Sequence, residues 1–269
     1  MHRLEKEILV AVVEYCEQHG LRYTPIGGTM LGAVRHKGFI PWDDDIDLGM
    51  PRPHYERLLA SAQDFEAATG LIIQGLAGVA PQDSPLLKIT RPDVLVQERR
   101  NRETTNLWID IMPIDALPED ERQLASVYQK SYRHRLAVGF LSTKPSEGIN
   151  LPRRILKTLG APLGHSMKLR TAVSRSLNNL GKRIPYGSTP YVGILTWGLY
   201  GVGERVPLEG FEQCDTVEFE GLRLSCMACW DEYLTGIYGD YMQMPPADQQ
   251  VCHNVTAWYV SKEPGEPLE

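Results

Sequence analysis

A chain of 269 residues with net charge −6 and a pI near 5.7 can bury a sizeable core, and its overall acidity excludes a nucleic-acid binder that works through bulk positive charge. The longest uninterrupted apolar run, Ile8 to Val13, falls far below the roughly 18 residues of a membrane span, so a cytoplasmic protein is expected. Five cysteines, an odd number with no secretory leader, read as reduced thiols.

The first 20 residues place Leu4, Ile8, Val12 and Tyr15 at helical spacing with charges opposite, which predicts an amphipathic helix stopped by Gly20. LRYTPIGG then predicts a short strand running into a Gly-Gly turn, and TMLGAVRH a helix; this order of strand, glycines and helix suits phosphate. In DIDLGM the apolar Ile46, Leu48 and Met50 alternate with Asp45 and Asp47, the pattern of a strand. Pro51 and Pro53 end it and open a helix carrying Tyr55, Leu58 and Leu59. Further strands are expected at LIIQG, LLKIT, VLVQE and NLWIDI, the last turning Trp108 and Asp110 away from Leu107, Ile109 and Ile111. Helix is predicted from about Glu119 to Leu141 and again through Val173, Leu177 and Leu180. A hairpin follows around Glu220-Gly221 and a helix in WDEYLTGIYGDY, while SKEPGEPLE reads as a frayed tail. The fold class is α/β: a mixed sheet flanked by helices, a core over about 20–118 and a mainly helical elaboration over about 119–260, forming one domain.

Four aspartates crowd into five positions at Asp43, Asp44, Asp45 and Asp47. Asp43 and Asp44, after Pro41-Trp42, suit a loop or a cap. Asp45 and Asp47, two apart on a strand anchored in the core, present like charges on one face, and a cation or a proton must offset that repulsion. A calcium loop starting at Asp43 would need Gly at its sixth position and Glu at its twelfth, where Leu48 and His54 stand, so that reading fails. Mg²⁺ or Mn²⁺ beside a Gly-Gly turn fits phosphate chemistry better, with Asp110 as the third carboxylate from a neighbouring strand. Asp115, after Pro113, reads as a turn residue. Cys226-Met-Ala-Cys229, with Cys214 and Cys252-His253, is the one zinc-like arrangement, and buried structural thiols are the preferred account of it.

The blocks GGTMLGAVRHKGFIPWDDDIDLGM, WIDIMPIDALP and YLTGIYGDYMQMPPADQQVCHN, in this order, resemble the LicD family of the nucleotidyltransferase superfamily, to which the fukutin-type proteins are related. The superfamily's Gly-Gly turn and Asp-hydrophobic-Asp pair are met by Gly27-Gly28 and Asp45-Ile46-Asp47, with the long insert that LicD proteins carry between them. The resemblance implies a nucleotidyltransferase-like fold and a phosphotransferase that moves phosphocholine from CDP-choline to a hydroxyl of a cell-surface glycan of teichoic acid, lipopolysaccharide or capsule type, releasing CMP. Asp45, Asp47 and Asp110 would hold the metal and form the catalytic centre, and Gly27, Gly28 and Thr29 would approach the donor phosphates. Arg35, Lys37 and Lys88 are candidate phosphate contacts, set against solvated basic turns and snorkelling; Trp42 is a candidate for base stacking or a choline cage, set against core packing. His36 reads as a solvated turn residue, and nothing in the spacing fixes a role for Asp240 or His253.

Between Gly148 and Gly203 there is no Asp or Glu, while Arg153, Arg154, Lys157, Lys168, Arg170, Arg175, Lys182 and Arg183 all fall there. A basic block on an acidic protein suggests a face toward an anionic membrane or a phosphate-rich, lipid-linked acceptor, with the protein peripheral at the inner face of the cell membrane; a plain solvated helix face is the alternative. Two other functions stay open: transfer of another CDP-linked group, such as ribitol phosphate or glycerol phosphate, and a non-catalytic sensor of a nucleotide-activated choline.

Overall fold

The computed structural model describes residues 1–77, 80–81, 83–98, 104–142, 166–246, 250 and 255–261. The chain opens with α1 (His2–Gln18), β1 (Thr24–Pro25), α2 (Gly27–His36), β2 (Asp47–Pro51), α3 (Arg52–Ala60) and α4 (Ala62–Thr69). β3 (Ile72–Gly75), β4 (Ala80–Pro81), β5 (Leu87–Glu98), β6 (Thr105–Ala116) and α5 (Glu121–Ser142) follow. The later part contains α6 (Met167–Gly181), β7 (Tyr191–Ile194), a 3-10 turn (Gly201–Glu204), β8 (Val206–Pro207), α7 (Leu208–Glu212), β9 (Cys214–Phe219), β10 (Leu222–Met227), α8 (Trp230–Tyr238) and β11 (Val255–Tyr259).

Nine of these strands form one mixed sheet in the order β1-β2-β6-β5-β3-β4, with β7 on β6, β8 on β7 and β11 on β5. β2 and β6 run parallel and put Asp47 level with Asp110. β6 runs antiparallel to β5 and puts Asp110 level with Lys88. Three charged side chains from three adjacent strands therefore share one level of the sheet, and residues at the same level of paired strands project to the same side.

The apolar pattern explains these elements. Leu4, Ile8, Leu9, Val12, Tyr15 and Cys16 bury one stripe of α1 against Ile46, Leu48, Met50, Ile109 and Ile111. A second cluster joins Ile26, Met30 and Leu31 to Met112, Ile114, Val192, Ile194, Tyr233 and Leu234. A third, smaller one gathers Leu117, Leu124, Tyr128, Leu180 and Leu195. Because β6 contributes to the first two and leads directly into the third, it is the strand around which the site is organised.

Several expectations change in detail. Asp45 precedes β2 rather than lying within it; Ile46 is nonetheless fully buried, and its carbonyl accepts the Asp110 amide at 2.9 Å. LLKIT and VLVQE are one strand, β5, interrupted by a bulge between Arg91 and Leu95. Asp115 is no turn residue: β6 continues to Ala116, and the buried Asp115 carboxylate forms a fork with Arg52, Nε–Oδ1 2.6 Å and Nη2–Oδ2 2.8 Å. A proline two positions earlier is tolerated there because Pro113 needs no amide hydrogen. The second half is less purely helical than its pattern suggests, since β7, β8 and β11 rejoin the sheet. The Glu220-Gly221 hairpin is present, both residues at positive φ (50° and 75°), as a two-residue primed turn requires. Cys214, Cys226 and Cys229 are free thiols; burial pushes Cys226 up to about 12 and Cys229 up to about 11, the behaviour of structural cysteine. Cys252, His253 and the tail from 262 onward lie outside the described residues, as do Arg153, Arg154 and Lys157.

Candidate active site

The Gly-Gly pair forms the first turn of α2 rather than a loop before it. Gly27 has φ +52°, a conformation that suits glycine, and a Cβ added there would lie 3.8 Å from Asp47 Oδ2 and 4.0 Å from the Tyr238 hydroxyl. At Gly28 an added Cβ would lie 2.3 Å from Asp43 Oδ2, so only glycine lets that carboxylate approach the start of α2. Acid near a helix N-terminus is electrostatically favoured. Two of the three expected phosphate-approaching residues also hold the scaffold: the Gly27 amide donates to the Tyr233 hydroxyl at 3.1 Å, and the buried Thr29 hydroxyl accepts the Asp47 amide at 2.8 Å. The α2 terminus is thereby tied both to β2 and to α8.

Asp47 lies at the centre of the charge cluster. Burial, then Asp45 and Asp110, then Asp43 hold its carboxyl well above the usual range, with Lys88 opposing them. Asp110 is held from two sides: the Trp108 indole donates to its Oδ2 at 3.0 Å, and Lys88 Nζ lies 3.4 Å from Oδ1. That Oδ1 is buried and has no hydrogen bond, so the Lys88 contact is an ion pair without hydrogen-bond geometry. Lys88 also rests 3.6 Å from the centroid of the Trp108 ring, a cation–π contact.

A cavity of about 300 Å³ opens beside these groups, lined by Asp44, Asp45, Lys88, Trp108, Asp110 and, from other elements, Glu5 and Trp197. Glu5 is 2 % exposed; burial, followed by repulsion from Asp45, pushes its carboxyl up to about 8, and one of its oxygens has no hydrogen bond. Behind the start of α2, on the Tyr233 hydroxyl, Glu204 is 3 % exposed and accepts the Tyr200 amide at 3.3 Å and a hydrogen bond from Tyr233; burial pushes it up to about 7. Tyr238 packs edge-on against Tyr200 at 5.0 Å, and burial raises its phenol.

The structure thus brings together Asp47, Asp110 and Lys88 at one level of the sheet, with Asp45 in the same cavity as Asp110. Among the described residues no three carboxylate, histidine or cysteine groups are close enough to form a finished metal cage. The groups present still fit a hard divalent ion: they are carboxylate oxygens, they repel one another, and a buried Asp110 oxygen is left without a hydrogen bond. Arg35 does not line this cavity; its Nη1 donates to the Tyr241 carbonyl at 2.8 Å and the Gln243 carbonyl at 3.4 Å. Lys37 is exposed at the left-handed C-cap of α2, roughly 15 Å of helix from Gly27. Trp42 packs on the second core cluster, edge-on to His36 at 6.5 Å. Asp240 is exposed beyond α8.

Sequence reasoning missed Glu5, Trp197 and Tyr233. Glu5 carried a signal, since it lies in phase with the buried Leu9, Val12 and Cys16 of α1, where a charge is out of place. Trp197 and Tyr233 gave none, because only the tertiary fold brings them to α2 and β6.

A mixed sheet with paired acids on adjacent strands beside a glycine-started helix is an arrangement suited to phosphoryl transfer. Residues 20–138 match the family model described as LicD/FKTN/FKRP, nucleotidyltransferase domain. The chain carries a domain of this LicD type over those residues and is a phosphotransferase. It is 27 % identical over 271 residues, covering 96 % of this chain and 97 % of the relative, to the lipopolysaccharide cholinephosphotransferase LicD of Haemophilus influenzae. It is 48 % identical over 48 residues to the ribitol 5-phosphate transferase FKRP of Homo sapiens, covering 18 % of this chain and 10 % of that protein.

Proposed function

We propose that the protein transfers phosphocholine from CDP-choline to a hydroxyl of a cell-surface glycan and releases CMP. The observation that carries the reading is the alignment of Asp47 with Asp110 on adjacent strands at the start of α2. Likeness to a lipopolysaccharide cholinephosphotransferase along nearly the whole chain supports phosphocholine as the group transferred.

In the reaction the acceptor oxygen forms a bond to the choline-bearing phosphorus, the bond from that phosphorus to the CMP phosphate oxygen breaks, and the hydroxyl proton is released. Asp45, Asp47 and Asp110 would hold Mg²⁺ or Mn²⁺, which when bound neutralises the phosphate oxygens. Lys88 supplies a further positive charge beside Asp110 and steadies that carboxylate in the meantime. Thr29 and Tyr233 fix the α2 terminus, so its amides are oriented before the donor arrives. Trp108 and Trp197 give the cavity aromatic walls, and Asp44 and Asp45 give it carboxylates, which together suit a quaternary ammonium. The Trp108 ring already accepts the Lys88 ammonium.

The short FKRP match supports a second reading, transfer of ribitol phosphate from a CDP-linked donor. A CMP-release assay over CDP-choline, CDP-ribitol and CDP-glycerol with Mg²⁺ or Mn²⁺ separates the two. Release from CDP-choline alone, abolished by Asp47→Asn and Asp110→Asn, is expected. Release from CDP-ribitol alone would replace the choline assignment, and release that survives both substitutions would refute the site.

A further inference from the structure

A second cavity, of about 390 Å³, opens where α5 and α6 meet the end of β6. The two helices pack against each other, tied by His134 Nε2 to Ser176 Oγ at 3.0 Å. Arg122, Lys130 and Arg183 line the cavity and no Asp or Glu does. All three cations are exposed, and none forms an ion pair with a described residue. Their neighbours in sequence are already matched: Glu121 pairs with Arg205 and Lys182 pairs with Glu56 at 2.7 Å. Apart from Gln123 and Ser126 the remaining wall is apolar, formed chiefly by Val127, Leu180 and Leu195, the latter two buried in the third core cluster.

Three cations with no ion-pair partner among the described residues, over a largely apolar wall, set two requirements at once. A bare phosphate would use the cations and leave the apolar wall wet, whereas a neutral apolar molecule would cover the wall and leave the cations without partners. A phosphate ester on a hydrocarbon chain meets both. The position is also informative. Asp110 and Ala116 lie on the same strand, six residues or about 20 Å apart, and each lines one of the two cavities. Leu195 and Trp197, two residues apart, are likewise divided between them.

We infer that this cavity is a binding site for the phosphate end of a lipid, separate from the donor site, with Arg122, Lys130 and Arg183 on the phosphate and Val127, Leu180 and Leu195 against the chain. The site stands without the phosphocholine reading, because it is tested by binding alone. The full chain is titrated calorimetrically with dihexanoyl phosphatidic acid below its micellar concentration, and in parallel with inorganic phosphate and with dihexanoyl phosphatidylcholine. The phosphatidic acid is expected to bind at least tenfold more tightly than either, and Lys130→Ala and Arg183→Ala each to weaken it roughly tenfold. Both side chains are exposed, so an unchanged melting temperature will show that the variants are folded. Absence of saturable binding, equal affinity for inorganic phosphate, or indifference to both substitutions would overturn the inference. CMP release is measured separately, so failure here leaves the transfer reaction standing, and the converse.

Discussion

Removing the Asp115 carboxylate is expected to be among the more damaging single changes in the chain that touch no substrate. Asp115 has a fully buried side chain, and its partner Arg52 is 9 % exposed at the side chain. Burial works against the Arg52 cation, but the Asp115 charge and its two hydrogen bonds outweigh it and hold the guanidinium above its ordinary pKa. Asp115→Ala leaves a buried guanidinium without its counterion, a loss of about 3–5 kcal/mol. Asn178 at 2.8 Å and Glu56 at 3.3 Å retain part of the Arg52 network, which favours the lower end, about 3 kcal/mol. At about 2–4 °C per kcal/mol for a chain of this size, the melting temperature should fall by roughly 6–12 °C. Urea unfolding and thermal melting read the loss, and the double variant Arg52→Met, Asp115→Leu should recover most of it, since an apolar pair of similar volume leaves no charge stranded. A loss below about 1 kcal/mol in Asp115→Ala would mean that water reaches Arg52 and that the pair does not join α3, β6 and α6 as described.

Glu5 provides a pH test. Its folded pKa, about 8, stands above the unfolded value of 4.5, so its contribution to stability is fully present below pH 4.5 and is lost as pH rises through about 8. In the presence of a chelator, Glu5→Gln should match the parent near pH 4.5 and exceed it by about 3–5 kcal/mol at pH 8.5, at 1.36 kcal/mol per unit; parallel pH profiles from urea unfolding would count against the buried carboxyl. Tyr233→Phe removes the hydroxyl that accepts the Gly27 amide. It should cost about 1–2 kcal/mol in urea and lower CMP release more than tenfold, because the start of α2 loses its tie to α8; unchanged release would show that this tie does not orient the donor.

The extent to which the sequence was legible follows from how local each cause is. The α1 stripe, the buried alternation of Ile46, Leu48 and Met50, and the Glu220-Gly221 turn are set by spacing within a few residues, and each is found where its pattern puts it. Pairing Asp47 with Asp110 required a guess about which strands are neighbours, and the polar face of NLWIDI carried that guess. Asp115 was misread because a preceding proline is a local turn signal, whereas Arg52, which fixes it, is 63 residues away. Arg35 shows the same limit: proximity in sequence to the aspartates suggests phosphate, while the carbonyls its guanidinium meets belong to residues 241 and 243. Trp197 and Tyr233 were out of reach of any local pattern, because α8 and the segment after β7 acquire their positions only when the second core cluster closes.

Mn²⁺ binding observed by electron paramagnetic resonance, with and without CDP-choline, tests the proposed divalent-ion site of the aspartates without reference to turnover. The parent is expected to take up Mn²⁺ saturably, most tightly with the donor present, and Asp47→Asn and Asp110→Asn are each expected to abolish that uptake while remaining folded. A parent that leaves Mn²⁺ free under both conditions, or variants that bind it as the parent does, would contradict the assignment.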